Sequence, residues 1–150
     1  MGNENRRGSL RGAATSRVAT GTMQEKAETH GVEVAAEAFF VPEQSDPERN
    51  RFTFAYRIQL TNRGPLTVQL ISRHWVITDG DGSEKHVRGM GVVGEQPVLA
   101  PGTSFEYMSG SQLTHPMGTM QGTYQMQTDS GEMLDVAIPC FTLAVPGIAN

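Results

Sequence analysis

A glycine-rich segment carries the most recognisable chemical spacing in this sequence. Residues 89–94 read Gly-Met-Gly-Val-Val-Gly and match G-x-G-x-x-G, which in dinucleotide-binding domains lets a pyrophosphate approach a helix N-terminus. The local context disfavours that chemistry, because Glu95-Gln96-Pro97 follows where the helix would run and the nearest base is Arg88. We therefore predict a shape-forming loop between strands, with binding of a phosphate compound as the alternative.

Three carboxylates lie within one short segment. Asp79, Asp81 and Glu84 supply the oxygen ligands that Mg²⁺ or Ca²⁺ prefers, which makes them a candidate metal site. The segment does not match an EF-hand loop, since Gly82 comes too early and the bidentate glutamate position is missing. Acidic residues at a hairpin tip also serve turn geometry, and that interpretation is favoured. Four histidines show no zinc-ligand spacing: His30, His74, His86 and His115.

The nucleophile candidates are one cysteine and two serines. Cys140 has apolar neighbours in sequence, for which we predict a buried and unreactive thiol. Ser109 and Ser111 lack the strand-to-helix elbow of a hydrolase, although His86 or His115 could approach them in the folded chain. We therefore expect no enzyme activity, and weak hydrolase activity belongs to the alternative function.

Composition restricts the class of protein. The chain has 150 residues, one cysteine and a formal net charge of -4, so one domain without an internal disulfide is expected. Five of its 12 Lys and Arg and three of its 16 Asp and Glu lie in residues 1–28, which leaves the remainder with a charge of -6. An acidic body disfavours nucleic acid, and the apolar runs are too short for membrane insertion. We expect a cytoplasmic protein without a cofactor.

Residues 1–28 differ in pattern from the rest of the chain. Small and polar residues dominate there, and no helix or strand period persists long enough to bury a face. A disordered N-terminal tail is therefore predicted ahead of a single domain at residues 29–150. Both Met1 and Met23 are candidate translation starts.

From Val32 onward the hydrophobic pattern has the period of two that indicates β-strands. Residues 52–60 alternate most clearly, and a parity change near Ser72 in the next strand, 66–78, indicates a bulge. With no helical stripe, about seven or eight short strands predict an all-β, immunoglobulin-like or fibronectin type III-like antiparallel sandwich. The later predicted strands are 84–88, 104–109, 119–128, 133–138 and 140–145. The predicted structural core includes Phe54, Tyr56, Trp75, Tyr124 and Phe141.

Several separated motifs together resemble one protein family. Their order and spacing are similar to those of ApaG proteins over residues 32–147, and the basic tail lies outside the resemblance. The motifs are Phe54-Ala55-Tyr56, Arg73-His74-Trp75-Val76-Ile77-Thr78, residues 89–97, Leu99-Ala100-Pro101-Gly102, Tyr107-Met108-Ser109-Gly110, Leu113, residues 116–124 and Ile138-Pro139-Cys140-Phe141.

The resemblance implies a fibronectin type III-like sandwich and an association with cobalt and magnesium resistance or efflux. It also implies a protein-interaction domain and supplies no established catalytic residues. We therefore predict a non-enzymatic protein-interaction or regulatory module that binds an unidentified protein partner through loops 89–97 and 110–118. A small-ligand protein that binds a divalent cation or a phosphate compound is the alternative function. The candidate partner-binding residues are Gly89, Gly91, Val93, Gly94, Gln96, Leu113, His115 and Pro116.

Overall fold

The computed structural model describes residues 23–147, which are mostly β-strand. Two single-turn 3-10 helices, Pro42–Gln44 and Pro47–Arg49, join the second strand to the third. No helix within the described range is long and apolar enough to cross a membrane. The strands are β1 (Glu25–Thr29), β2 (Val32–Phe40), β3 (Phe52–Asn62), β4 (Val68–Thr78), β5 (Glu84–Met90), β6 (Val98–Leu99), β7 (Ser104–Leu113), β8 (Met117–Thr128) and β9 (Met133–Ala144).

The strands form two antiparallel sheets. One has the order β1-β2-β3-β7 and the other β5-β4-β8-β9, with β6 paired to the start of β4. In β3, Phe54, Ile58 and Leu60 are buried between partly exposed residues, which is the alternation of a strand with one face in a core. The predicted antiparallel β-sandwich is therefore confirmed, whereas its fibronectin type III-like character stays a prediction.

The two sides of the sandwich differ. On one side β9 packs against β1 and β2, and the Ala137 amide donates to the Thr29 hydroxyl at 3.1 Å. On the other side β5 and β7 are terminal strands of their sheets, and a cavity separates them. The sandwich is thus closed at β9 and open between β5 and β7.

An aromatic cluster joins the sheets at the centre of the core. Trp75 of β4 is 3% exposed, and its ring centroid lies 5.4 Å from that of Tyr56, 6.0 Å from Phe141 and 6.4 Å from Tyr124. These contacts are edge-on, the arrangement that the quadrupole of aromatic rings favours. Phe54 is also buried, so all five predicted core aromatics lie inside the sandwich.

The start of the fold lies earlier in the chain than the sequence pattern predicts. β1 begins at Glu25 and pairs with β2 along its length, so the predicted tail of residues 1–28 extends four residues too far. The sequence pattern does not predict this strand, because it is mostly exposed and its one apolar residue, Ala27, gives no alternation of apolar and polar side chains. The rest of the predicted tail, residues 1–22, lies outside the described residues.

The end of the fold contains one strand where the sequence predicts two. Predicted strands 133–138 and 140–145 are joined in β9, because Pro139 lies at a register shift opposite β8, where a missing ladder donor is tolerated. Cys140, also within this shift, is exposed. The prediction of a buried thiol is therefore wrong: apolar neighbours in sequence do not bury a side chain that a bulge turns outward.

The predicted loop 110–118 is mostly strand. β7 continues to Leu113 and β8 begins at Met117, so that only residues 114–116 connect them. Glycine in this segment allows two strands to approach each other closely and does not form a turn. A Cβ atom on Gly118 would lie 2.4 Å from the carbonyl oxygen of Thr78, a distance no side chain tolerates.

Trp75→Ala should lower the free energy of unfolding by about 3 to 5 kcal/mol, because it empties the centre of the aromatic cluster. Val76→Ala, on the neighbouring and partly exposed position of the same strand, is the matched control and should cost about 1 kcal/mol. Urea unfolding monitored by circular dichroism measures both. Equal losses for the two variants would contradict this position for Trp75.

Candidate functional site

The open side of the sandwich contains a groove of about 890 Å³ between β5 and β7. One wall comes from β7 and the other from β4, β5 and the loop after β5. Small residues at Ser109, Gly110 and Ser111 leave this space on the β7 side, where larger side chains would fill it. We refer to this space as the β5–β7 groove.

Arg73 is the charged residue that faces the groove from the inner surface of β4. It has the same strand parity as Trp75 and Ile77, which also line the groove. Its Nη1 donates to the carbonyl oxygens of Met90 at 3.0 Å and Gly91 at 2.7 Å. The guanidinium therefore ties the loop after β5 to β4.

The first glycine of the G-x-G-x-x-G motif makes room for this guanidinium. Gly89 pairs directly with Arg73 across the β4–β5 ladder. A Cβ atom at Gly89 would lie 2.8 Å from Nη1, 2.9 Å from Nη2 and 3.0 Å from Cζ of Arg73. Gly89 is thus required by a side chain lying over it, and no phosphate is needed to explain it.

The second and third glycines shape a tight turn. Gly91 has φ of 65°, and its Cβ would lie 2.4 Å from the Glu95 carbonyl oxygen. Val92 and Glu95 exchange two backbone hydrogen bonds of 2.8 Å around Val93 and Gly94, which have φ of 42° and 81°. Positive φ at both central residues is the geometry of a type I′ turn. Val93 is β-branched and strained there, and it packs against the core.

The bulge in β4 anchors this loop. The register of β4 shifts between Leu70 and Ser72, as the sequence predicts, which leaves Ile71 as the extra residue. The Ile71 carbonyl accepts from the Gly91 amide at 2.8 Å and from Gln96 Nε2 at 2.9 Å. Three loop amides, those of Gly91, Val92 and Glu95, therefore donate to backbone carbonyls and are not available to bind a phosphate.

A carboxylate closes one end of the groove. Asp79 accepts from the Gly80 amide at 2.8 Å, from the Thr114 amide at 2.9 Å and hydroxyl at 2.8 Å, and from His115 Nδ1 at 2.9 Å. Partial burial opposes its ionisation, but the hydrogen bonds, those from Thr114 and Gly80 foremost, outweigh burial and lower the pKa of Asp79. Asp79 thus holds the connection between β7 and β8 against the end of β4.

The structure does not assemble the predicted metal site. Asp79 is occupied by four donors, and Asp81 Oδ1 accepts from the amide and hydroxyl of Ser83 at 2.9 and 2.6 Å. Glu84 instead lies 3.5 Å from His86 Nε2. Across residues 23–147, no three His, Cys, Asp or Glu side chains form a group that could hold a metal ion.

The histidines do not reach the two serines. His86 Nδ1 lies 2.9 Å from Nε2 of His74, on the outer face of the sheet, and the pKa of His74 is lowered by desolvation and by nearby Arg88. His115 is bound to Asp79 and Thr114. Ser109 instead lies beside the hydroxyl of Tyr56, whose pKa is raised by burial. No Ser–His pair forms within the described residues.

The predicted partner-binding residues fall into two groups. Val93, Gly94 and Leu113 line the β5–β7 groove, but Leu113 is only 1% exposed and belongs to the core. The other five lie outside the lining: Gly89, Gly91, Gln96 and His115 hold the walls or the ends of the groove, and the Pro116 carbonyl accepts from the Val145 amide. The prediction of direct contacts at Leu113 is therefore wrong, because β7 extends further than expected.

Sequence reasoning assigned no site role to Arg73 or Met90. Arg73 lines the groove with the predicted core residue Tyr56 and with Ser109 and Ser111, which the sequence offered only as nucleophile candidates, and Met90 lies exposed at the edge. The available signal was the parity of Arg73, which places a cation on the buried face of the strand that carries Trp75. A charged side chain that faces the core either forms an ion pair with another residue or binds a ligand.

Comparisons with known proteins agree on one family. The sequence model of the ApaG domain matches residues 42–128. Protein ApaG of Aromatoleum aromaticum is 58% identical over 125 residues, covering 83% of this chain and 98% of the relative, and Protein ApaG of Pseudomonas paraeruginosa is 54% identical over 118 residues, covering 79% and 94%. A Bordetella pertussis crystal structure named ApaA superposes with a TM-score of 0.76 at 48% identity, covering 81% of this chain and 98% of that one.

Gly91→Ala should destabilise the protein more than Gly94→Ala. Both glycines have positive φ, but a Cβ at Gly91 meets the Glu95 carbonyl whereas a Cβ at Gly94 meets nothing within 4 Å. We expect a loss of about 1 kcal/mol at Gly94 and more than about 2 kcal/mol at Gly91 in urea unfolding. A larger loss at Gly94 would contradict the turn geometry.

The stabilising effect of Asp79 should depend on pH. Its folded pKa is lowered, so its contribution is fully present above the unfolded value of about 4 and is lost as pH falls through the folded pKa. The difference in free energy of unfolding between the native sequence and Asp79→Asn should therefore shrink as pH is lowered from 6 to 3. A difference that stays constant or grows would exclude the proposed hydrogen-bond set.

Proposed function

The chain belongs to the ApaG family, and from that premise we propose that it is a non-enzymatic protein-interaction module whose recognition surface is the β5–β7 groove. The observation that carries this proposal is the groove itself, an opening into the interior of an otherwise closed sandwich. Loops and edges on a rigid β scaffold are common positions for partner contacts. The turn at Val93 and Gly94 and the Asp79–Thr114 contacts hold both ends of this groove.

The border of the groove has the chemistry of a protein interface. Met90, which lines the groove, is 68% exposed. Methionine is enriched at protein interfaces, and its flexible apolar side chain adapts to different partners. An exposed apolar side chain beside a cavity therefore supports a protein partner.

The residue chemistry supports the absence of catalysis. A serine hydrolase needs a base within hydrogen-bond reach of its nucleophile, and both His86 and His115 are engaged elsewhere. The only cysteine, Cys140, is exposed on β9 and lies outside the groove lining. These arrangements favour binding over a covalent reaction.

The alternative of a small phosphate or metal ligand has less support. The amides of Gly91, Val92 and Glu95 in the glycine loop already donate to backbone carbonyls. Residues 29–150 carry a formal charge of -6, which repels polyanions. The association with cobalt and magnesium that the resemblance implies stays a prediction, as does a cytoplasmic location.

A photo-reactive benzoylphenylalanine at position 90 should crosslink to a partner protein in cells of the source organism, because Met90 lies at the edge of the groove. The matched control is the same residue at position 133, since Met133 is 52% exposed but lies outside the groove lining. Mass spectrometry of the adducts is the measurement. The adduct at position 90 should disappear when Ser111→Phe fills the groove.

Two results would overturn this function. One is the same set of adducts at positions 90 and 133, which would mean that the groove is not selective. The other is no adduct at position 90 together with a saturable rise in melting temperature on adding Mg²⁺, Co²⁺ or ATP. That pair of results would make the small-ligand function correct.

A further inference from the structure

We propose that the β5–β7 groove receives an extended segment of the partner and that a carboxylate of this segment pairs with Arg73. This inference rests on the proposed function and names the chemistry of its partner. It arises from three properties of the groove: a cation with unused donors, an absent counter-ion and two neighbouring strand edges.

Arg73 has its carboxylate-binding edge unused. Its Nη1 is occupied by the carbonyls of Met90 and Gly91. Within residues 23–147 its Nε and Nη2 donate no hydrogen bond, and these two nitrogens form the side-on fork that binds a carboxylate through two parallel hydrogen bonds. The loop carbonyls fix the guanidinium in place, so little side-chain entropy is lost when a ligand binds.

No carboxylate of the described residues neutralises this cation. The five ion pairs in residues 23–147 involve other residues, and Arg73 is in none of them. Its surroundings are the hydroxyl groups of Tyr56 and Ser109 and the rings of the core. A partly buried cation without a counter-ion favours an anionic ligand, because desolvation is then offset by pairing.

The other charges in the groove select for a single carboxylate. Asp79, Glu84 and Lys85 line the same space with a net charge of -1, so that end of the groove does not attract a phosphate or a run of acidic residues. The remaining walls combine apolar side chains at Val87, Val92 and Met120 with polar ones, among them Ser83, Gln112 and Thr114. The preferred ligand therefore combines one carboxylate with a body that has both apolar and hydrogen-bonding groups.

The strand edges favour an extended peptide over a free acid. β5 and β7 border the groove, and within residues 23–147 each has one edge without a strand partner. Such edges present backbone donors and acceptors that an added strand can use, while the side chains of the added strand enter the groove. A partner segment would thus gain main-chain hydrogen bonds from an edge and charge pairing from Arg73.

N-acetyl-leucine is a suitable probe, and its neutral amide is the matched control ligand. Two signals report on binding: the fluorescence of Trp75, which is the only tryptophan and lines the groove, and the Nε–Hε correlation peak of Arg73 in NMR spectra. We expect saturable changes in both with the acid and at least about tenfold weaker binding of the amide.

Arg73→Lys retains the charge but loses the fork, and it should weaken binding of the acid about tenfold or more. Arg88→Gln is the control, because Arg88 is exposed and lies outside the lining of the β5–β7 groove. If Arg73→Lys fails to fold, the Arg73 peak in the native protein still decides the question. Equal affinity for acid and amide, or no saturable change at tens of millimolar acid, would overturn the inference.

This result is distinguishable from failure of the proposed function. If position 90 crosslinks to a protein while the acid does not bind, the groove is a recognition surface but Arg73 does not read a carboxylate. If the acid binds through Arg73 and position 90 gives no protein adduct, the site takes a small carboxylate and the partner segment is wrong.

Discussion

The hydrogen bonds from Arg73 to the carbonyls of Met90 and Gly91 are the interaction on which the open side of this protein depends. They hold the loop after β5 against β4 and place a guanidinium where a sandwich core is ordinarily apolar. This cation constrains its surroundings. Gly89 must lack a side chain because the guanidinium lies over it, and β7 carries small residues on the opposite wall. Loop, groove and charge are therefore one structural unit.

This unit gives a physical meaning to the G-x-G-x-x-G spacing that differs from nucleotide binding. Gly89 lies beneath a guanidinium, Gly91 avoids the Glu95 carbonyl, and Gly94 completes a turn with positive φ. The same three residues in a dinucleotide-binding domain would expose amides to phosphate. Here the amides of Gly91 and of the turn bond to backbone carbonyls, so the spacing encodes shape.

The fold was largely predictable because its signals are local. Alternation in β3, the parity change at the β4 bulge and the absence of a helical stripe required no tertiary information, and they were confirmed. The sequence does not predict β1, because exposed Glu25–Thr29 carries no apolar period, or the continuity of β9, because a proline such as Pro139 ordinarily interrupts a strand. Both depend on a partner strand, which a single sequence does not display.

The candidate site was less predictable for the same reason. The sequence motifs made Asp79 a candidate metal ligand and the glycines a candidate loop. In the structure Asp79 accepts hydrogen bonds, and the glycines allow close packing. Arg73 and Ser109 line the same groove because β4 and β7 lie in the two facing sheets, so no spacing in the sequence relates them. The one available signal was strand parity, which places Arg73 on the same face of β4 as Trp75.

A double-mutant cycle between Arg73 and Gly89 tests the central claim most directly. In the native background Gly89→Ala should be destabilising, because its Cβ meets the guanidinium. In an Arg73→Ala background the same change should be neutral or stabilising, since alanine suits a strand better than glycine does. We expect a coupling of more than about 1 kcal/mol in urea unfolding, whereas additivity within about 0.5 kcal/mol would contradict the account.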